Sequence, residues 1–133
     1  MNCQVYVLRV DEDGNQYNGY ITGLVENLYD ELKIDRTWMD EIAITDELSI
    51  ISNKESAVMG LPLNRAVYDA FGNLVTVVGG NVFIQKCCSG IPVDISLDDI
   101  EVLEDRLRAI ITISHGFVFT KPGDELPEWR VIG

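Results

Sequence analysis

The sequence predicts an α+β fold: one domain over residues 1–133, a mainly antiparallel sheet of about five strands with two principal helices packed on it. Three observations carry this expectation. Apolar runs of strand length recur at residues 3–10, 48–51, 74–78 and 81–86, set off by Gly, Asp, Asn and Pro. One stretch, about 96–112, has apolar residues three and four apart behind a capping signature. Strands and helices mix without the regular alternation of a parallel sheet, and no repeat, low-complexity tract or linker divides the chain.

Taken in order, residues 3–10 alternate with apolar side chains on both faces, as in a strand covered on two sides. Asp11-Glu12-Asp13-Gly14-Asn15 then turns the chain; it has the opening of a calcium loop but lacks the later ligands, so a solvated hairpin turn is expected. Leu24, Val25, Leu28 and Leu32 give a first amphipathic helix over 22–33. Ile42, Ile44 and the run 48–51 read as strands. Asn53–Ser56 reads as the turn of a hairpin, and Gly60 and Pro62 fix a corner, one by permitting positive φ and the other by locking φ. Leu63, Ala66, Val67 and Ala70 predict a short helix that stops near Phe71-Gly72-Asn73. Gly79-Gly80 splits the next two apolar runs as a tight hairpin or a kinked strand. Gly90 and Pro92 mark a loop. Ser96 is an N-cap with Asp99 three residues on, and Leu97, Ile100, Leu103, Leu107 and Ile110 carry the helix of 96–112. Residues 117–120 read as a last strand, ahead of a tail within 113–133 whose Trp129, Val131 and Ile132 dock on the core or on a partner; Trp38 is open to the same two readings.

Composition narrows the function. Asp and Glu number 22 against 10 Lys and Arg, a net charge of −12. Direct binding to nucleic acid or an anionic membrane needs the opposite balance, so neither is expected as a partner. Cys3, Cys87 and Cys88 form neither a disulfide framework nor a metal or redox spacing, which fits a reducing compartment. The first residues lack a signal-peptide pattern and no apolar run spans a bilayer, so a cytoplasmic location is expected.

Chemistry is sparse. The single His115 has no nucleophile elbow or Cys-His signature near it, and its position after the last helix suits the dipole there. No phosphate loop, metal-ligand cluster or distinctive carboxylate pair appears, so no cofactor, metal or catalytic residue is assigned. The acids do cluster. Asp98, Glu101, Glu104 and Asp105 crowd the second helix, with Arg108 spaced to pair with Glu104, and two readings stand: solvated faces, or a row of carboxylates that imitates duplex phosphates.

The segment Ile51-Ser52-Asn53-Lys54-Glu55-Ser56-Ala57-Val58-Met59-Gly60-Leu61-Pro62-Leu63-Asn64-Arg65 resembles a family of small proteins encoded by phages, plasmids and other mobile elements. Its members carry approximately Asn-Glu-Glu-Gly-Lys-Leu-x-Gly-Leu-Pro-x-Asn-Arg, then a Val/Ile-x-Gly segment ahead of a β-rich stretch. The chain matches at Asn53, Glu55, Gly60, Leu61, Pro62, Asn64 and Arg65, and at Val78-Gly79-Gly80; it departs at Lys54 and Ser56. The resemblance covers residues 3–90 and implies a mobile-element origin, with action against host defence by analogy; the family's own function is unknown. Asn53, Glu55, Asn64 and Arg65 are the candidate polar site. Functionally they would take a carboxylate, phosphate or nucleotide edge through the arginine fork. Structurally, Asn64 would satisfy backbone groups at the corner while Arg65 bridges to an acid such as Glu55. Two functions follow: a non-catalytic acidic protein that engages a basic, nucleic-acid-binding host protein, or a small-molecule or nucleotide-binding domain at the Asn53–Arg65 site.

Overall fold

The computed structural model describes residues 3–23, 27–54, 59–113, 116–120 and 131–132. The chain is α+β and mostly antiparallel, with more strands than expected and a second, smaller sheet. The main sheet is built on β1 (Val5–Leu8), every residue of which is buried. On one side β1 pairs with β3 (Tyr20–Thr22), on the other with β8 (Val82–Cys88). The far side of β8 takes β5 (Leu48–Asn53), which in turn pairs with β4 (Met39–Ala43). Past its contact with β1, β8 pairs with a short edge strand, β9 (Ile91–Val93). Side chains alternate along a strand. Tyr6, Leu8, Leu48, Ile50, Val82 and Ile84 therefore share one core, and Val5, Val7, Ile51 and Phe83 another on the opposite face. Apolar residues on both faces of residues 3–10 are explained by this double burial.

The smaller sheet has β6 (Leu63–Tyr68) at its centre, between β7 (Leu74–Gly79) and β10 (Leu107–Arg108). Val67, Val78 and Leu107 join the core under Tyr6 and Leu8, while Ala66, Tyr68 and Ile110 form a third cluster. The helix α2 (Leu97–Arg106) closes the first core with Leu103. Its start is as expected. The Ser96 hydroxyl accepts from the Asp99 amide at 3.3 Å and the Asp99 carboxylate accepts from the Ser96 amide at 2.8 Å. Two short pairings complete the described chain: β11 (Ile110–Ile113) with β12 (Gly116–Phe119), antiparallel, and β2 (Gln16–Tyr17) with β13 (Val131–Ile132), parallel.

The helices depart furthest from expectation. Among the described residues of 22–33, only α1 (Leu28–Glu31) is helical, and Tyr20–Thr22 is strand. Aromatic and β-branched side chains suit a pleated surface, and Lys33 takes a φ of +59° that ends the helical turn. Leu28 and Leu32 are nevertheless buried, against Phe83 and Ile34. Residues 63–68 are the strand β6, not a short helix. Both faces of β6 are buried, so its apolar residues lose the alternation that marks a half-exposed strand. The expected helix to 112 ends at Arg106, because Leu107-Arg108 pairs with β6 and the β-branched run at 110–113 pairs with β12.

The corners are also rerouted. Gly79-Gly80 joins no hairpin: β7 lies in the small sheet and β8 in the large one, so the glycines carry the chain between sheets. Gly80 has a φ of +69° and its amide donates to the Pro62 carbonyl at 2.7 Å. Likewise β5 and the next strand, β6, lie in different sheets, so no hairpin joins them; residues 55–58 lie outside the described residues. Pro92 falls within the edge strand β9, where a missing N–H is tolerated, and the turn sits at Ser89-Gly90. Among the described residues no helix is long and apolar enough to cross a membrane.

Candidate functional site

At the head of β6, Asn64 is wholly buried. Its Nδ2 donates to the Leu8 carbonyl at 3.1 Å and the Gly80 carbonyl at 2.8 Å, so one amide ties β1 and the sheet crossing to β6. Its Oδ1 accepts from Arg65 Nη1 at 2.9 Å. A bulge between Leu63 and Arg65 brings the two neighbours together, where a regular strand would point them apart.

Arg65 is 6% exposed. Besides Asn64 Oδ1, its Nη1 donates to the Asn64 carbonyl at 2.9 Å and, at a long 3.4 Å, to Gln16 Oε1. Nη2 donates to the Tyr17 carbonyl at 2.8 Å. Gln16 is buried in turn and exchanges two bonds with the Ile110 backbone, at 2.7 and 3.0 Å. The guanidinium thus gathers β2, β6 and β11. Every acceptor is a neutral oxygen; among the described residues no carboxylate pairs with Arg65. Burial brings its pKa down to about 10, partly opposed by Tyr6. Glu55, the acid expected opposite it, lies outside the described residues.

Asn53 belongs to a different network. Its Oδ1 accepts from the Asp35 amide at 2.9 Å and its Nδ2 donates to the Lys33 carbonyl at 3.0 Å, which fastens the loop after α1 to the end of β5. Asn64 and Arg65 are brought together; Asn53 shares no hydrogen bond with them.

The acids divide by use. Asp94 accepts from the Gln4 amide at 2.8 Å, and Asp99 from both Ser96 and Lys86, whose Nζ stands 3.0 Å away. Burial alone would raise the Asp99 carboxyl, but the Ser96 amide and Lys86 outweigh it and hold it below the usual range. Asp98, Glu101, Glu104 and Asp105 are exposed along α2. Arg108 Nη1 donates to the main-chain carbonyl of Glu104 at 3.3 Å. His115 and Trp129 lie outside the described residues, and Trp38 is half exposed with the Lys54 ammonium over its ring.

Arg65 and Glu104 also face a pocket of about 250 Å³, with Tyr6, Asn18, Gly19 and Arg108 around them and Leu8, Leu103 and Leu107 as apolar wall. Burial raises the Tyr6 phenol, Glu104 adds to this, and Arg65 opposes it. Tyr6, Gln16 and Asn18 were not among the residues singled out from the sequence. The usable signal was the one aromatic with a polar tip on the face of Gln4, Leu8 and Val10. No protein-family model, curated protein or solved structure matches this chain.

Proposed function

We propose that this chain is a non-catalytic acidic binding protein that engages a basic protein through the outer face of α2. The observation that supports it is the state of Asp98, Glu101, Glu104 and Asp105: exposed carboxylates on a helix held by its capping box and by buried Leu103. Exposed Leu97 and Val102 lie among them and supply apolar contact area. Rigid, uncompensated charge steers an oppositely charged partner and fixes its register. The resemblance of residues 51–65 to a mobile-element family extends the proposal to the partner's source, a host protein approached at its nucleic-acid-binding face. The small-molecule reading narrows to Arg65, because Asn53 is committed to Lys33 and Asp35.

The test is capture of basic proteins from bacterial lysate by the wild type beside the D98K/E101K/D105K variant, followed by direct titration of the purified captive. Binding by the wild type alone, weakened as added salt shortens the Debye length, is the expected result. Equal capture by both proteins, or capture indifferent to salt, would sink the proposal.

A further inference from the structure

We infer that the pocket between β1, the head of β6 and α2 binds a small monocarboxylate with an apolar body, the carboxylate on Arg65 and Tyr6. This site shares Glu104 with the acidic face of α2 but does not rest on that face's proposed role.

Arg65 is the first observation. A buried guanidinium is costly unless an anion and hydrogen bonds compensate it. Its Nη1 is engaged by Asn64 and Gln16, whereas Nη2 serves one acceptor, Tyr17, and Nε none among the described residues. The Nε–Nη2 edge is the one that takes a carboxylate side-on, with two parallel charge-assisted bonds. The second observation is Tyr6. Its ring is buried, and its residue lines the pocket, where a hydroxyl that bonds no described residue can donate to a ligand. Gly19 fixes where that hydroxyl lies. A Cβ there would stand 2.1 Å from the Tyr6 oxygen, so the absence of a side chain lets the phenol rest on the backbone at the pocket wall.

The rest of the lining selects the class. Arg65 offers the pocket one guanidinium, which a monoanion matches. Glu104, exposed on α2, opposes a second negative charge. Leu8, Leu103 and Leu107 favour an apolar remainder over a sugar or a bare ion. At about 250 Å³ the space lies just under the range of drug-sized ligand sites, which suits a small acid better than a nucleotide.

Benzoate and hexanoate are the probes, with benzamide and inorganic phosphate as controls at matched ionic strength. Thermal shift of the full chain is read first, then calorimetric titration. The wild type is expected to gain melting temperature with either carboxylate and with neither control. Tyr6→Phe keeps the ring and removes only the hydroxyl; it should weaken benzoate about tenfold, the usual loss for one hydrogen bond to a charged group. Arg65→Lys keeps the charge and loses the fork, and should weaken it by at least as much. Should Arg65→Lys fail to fold, Tyr6→Phe still decides. D98K/E101K/D105K should bind benzoate like the wild type, which separates this site from the protein-binding face. An equal response to benzamide, a response to phosphate alone, no response to either carboxylate, or unchanged benzoate affinity in Tyr6→Phe would each overturn the assignment.

Discussion

The turns at residues 11–15 and 69–73 are near-copies set in different surroundings. Both read Asp-x-x-Gly-Asn. In each the aspartate amide donates to the asparagine carbonyl, at 3.0 and 2.9 Å, and the glycine amide donates back to the aspartate carbonyl, at 3.0 and 3.2 Å. In each, one carboxylate oxygen accepts from the amides two and four residues on, and the other from the asparagine side chain. The glycines have φ of +85° and +83°. What differs is the next residue along. After the first turn come Gln16 and Tyr17, which lead into the Arg65 network, and the Tyr17 hydroxyl returns to Asp11 at 3.0 Å. After the second comes half-exposed Leu74, and the tip residue Phe71 is 89% exposed. The same local chemistry therefore builds a hairpin at 69–73 and an anchor for the candidate site at 11–15.

The largest effect should come from the glycines. Nothing lies within 4 Å of a Cβ added at Gly14 or Gly72, so an alanine there meets backbone strain alone. That strain is worth about 1–2 kcal/mol. Gly14→Ala and Gly72→Ala should lower stability in urea by similar amounts, and the double variant by their sum, since the turns share no partner. A markedly larger loss at Gly14 would show that the first turn also bears on the Arg65 network, and would break the equivalence.

Next come the carboxylates. The Asn15 side chain, then its amide, holds Asp11 below the usual aspartate range; the Asn73 amide does the same for Asp69 against desolvation, with the Phe71 amide assisting. A carboxyl depressed in the folded state contributes stability above its unfolded pKa and loses it as pH falls through the folded value. Asp11→Asn and Asp69→Asn should therefore be less stable than the wild type at neutral pH and converge on it below the ordinary aspartate range. Urea midpoints at neutral pH and at about pH 2.5 read this directly. A gap that persists at the acid end would place the loss in shape rather than charge.

The pair also shows what was legible in the sequence. Residues 11–15 read as a turn because a clear strand precedes them; residues 69–73 carry the same signature, but Ala70 within them continues the spacing of Ala66 and Val67, which imitates a helix. The start of α2 was legible because a capping box is local chemistry. Its end was not, since Leu107 and Ile110 continue the three-to-four spacing while pairing as strands. The Gly60–Arg65 corner drew notice as a motif, but the burial of Arg65 had no local signal. Its acceptors at Gln16 and Tyr17 lie 49 and 48 positions away, and one is a main-chain carbonyl. Long-range bonds to backbone oxygens constrain no side-chain type.

The smallest effect is the most pointed. The Tyr17 hydroxyl is the one contact to the turn carboxylates that 11–15 has and 69–73 lacks. It stabilises the charged form of Asp11, and the bond in return holds the Tyr17 phenol above its usual range, with the charge of Asp11 acting the same way. Tyr17→Phe deletes the hydroxyl and keeps the ring, so the turn's own bonds persist and overall stability should change less than in any variant above. Carboxyl carbon shifts followed through an acid titration should show the Asp11 midpoint rising while Asp69 stays in place. Because the Tyr17 carbonyl, not its hydroxyl, accepts from Arg65, the arginine network should be untouched. If Asp69 moves as well, the two turns communicate; if Asp11 does not move, the hydroxyl contributes nothing and the turns are equivalent in electrostatics as well as in shape.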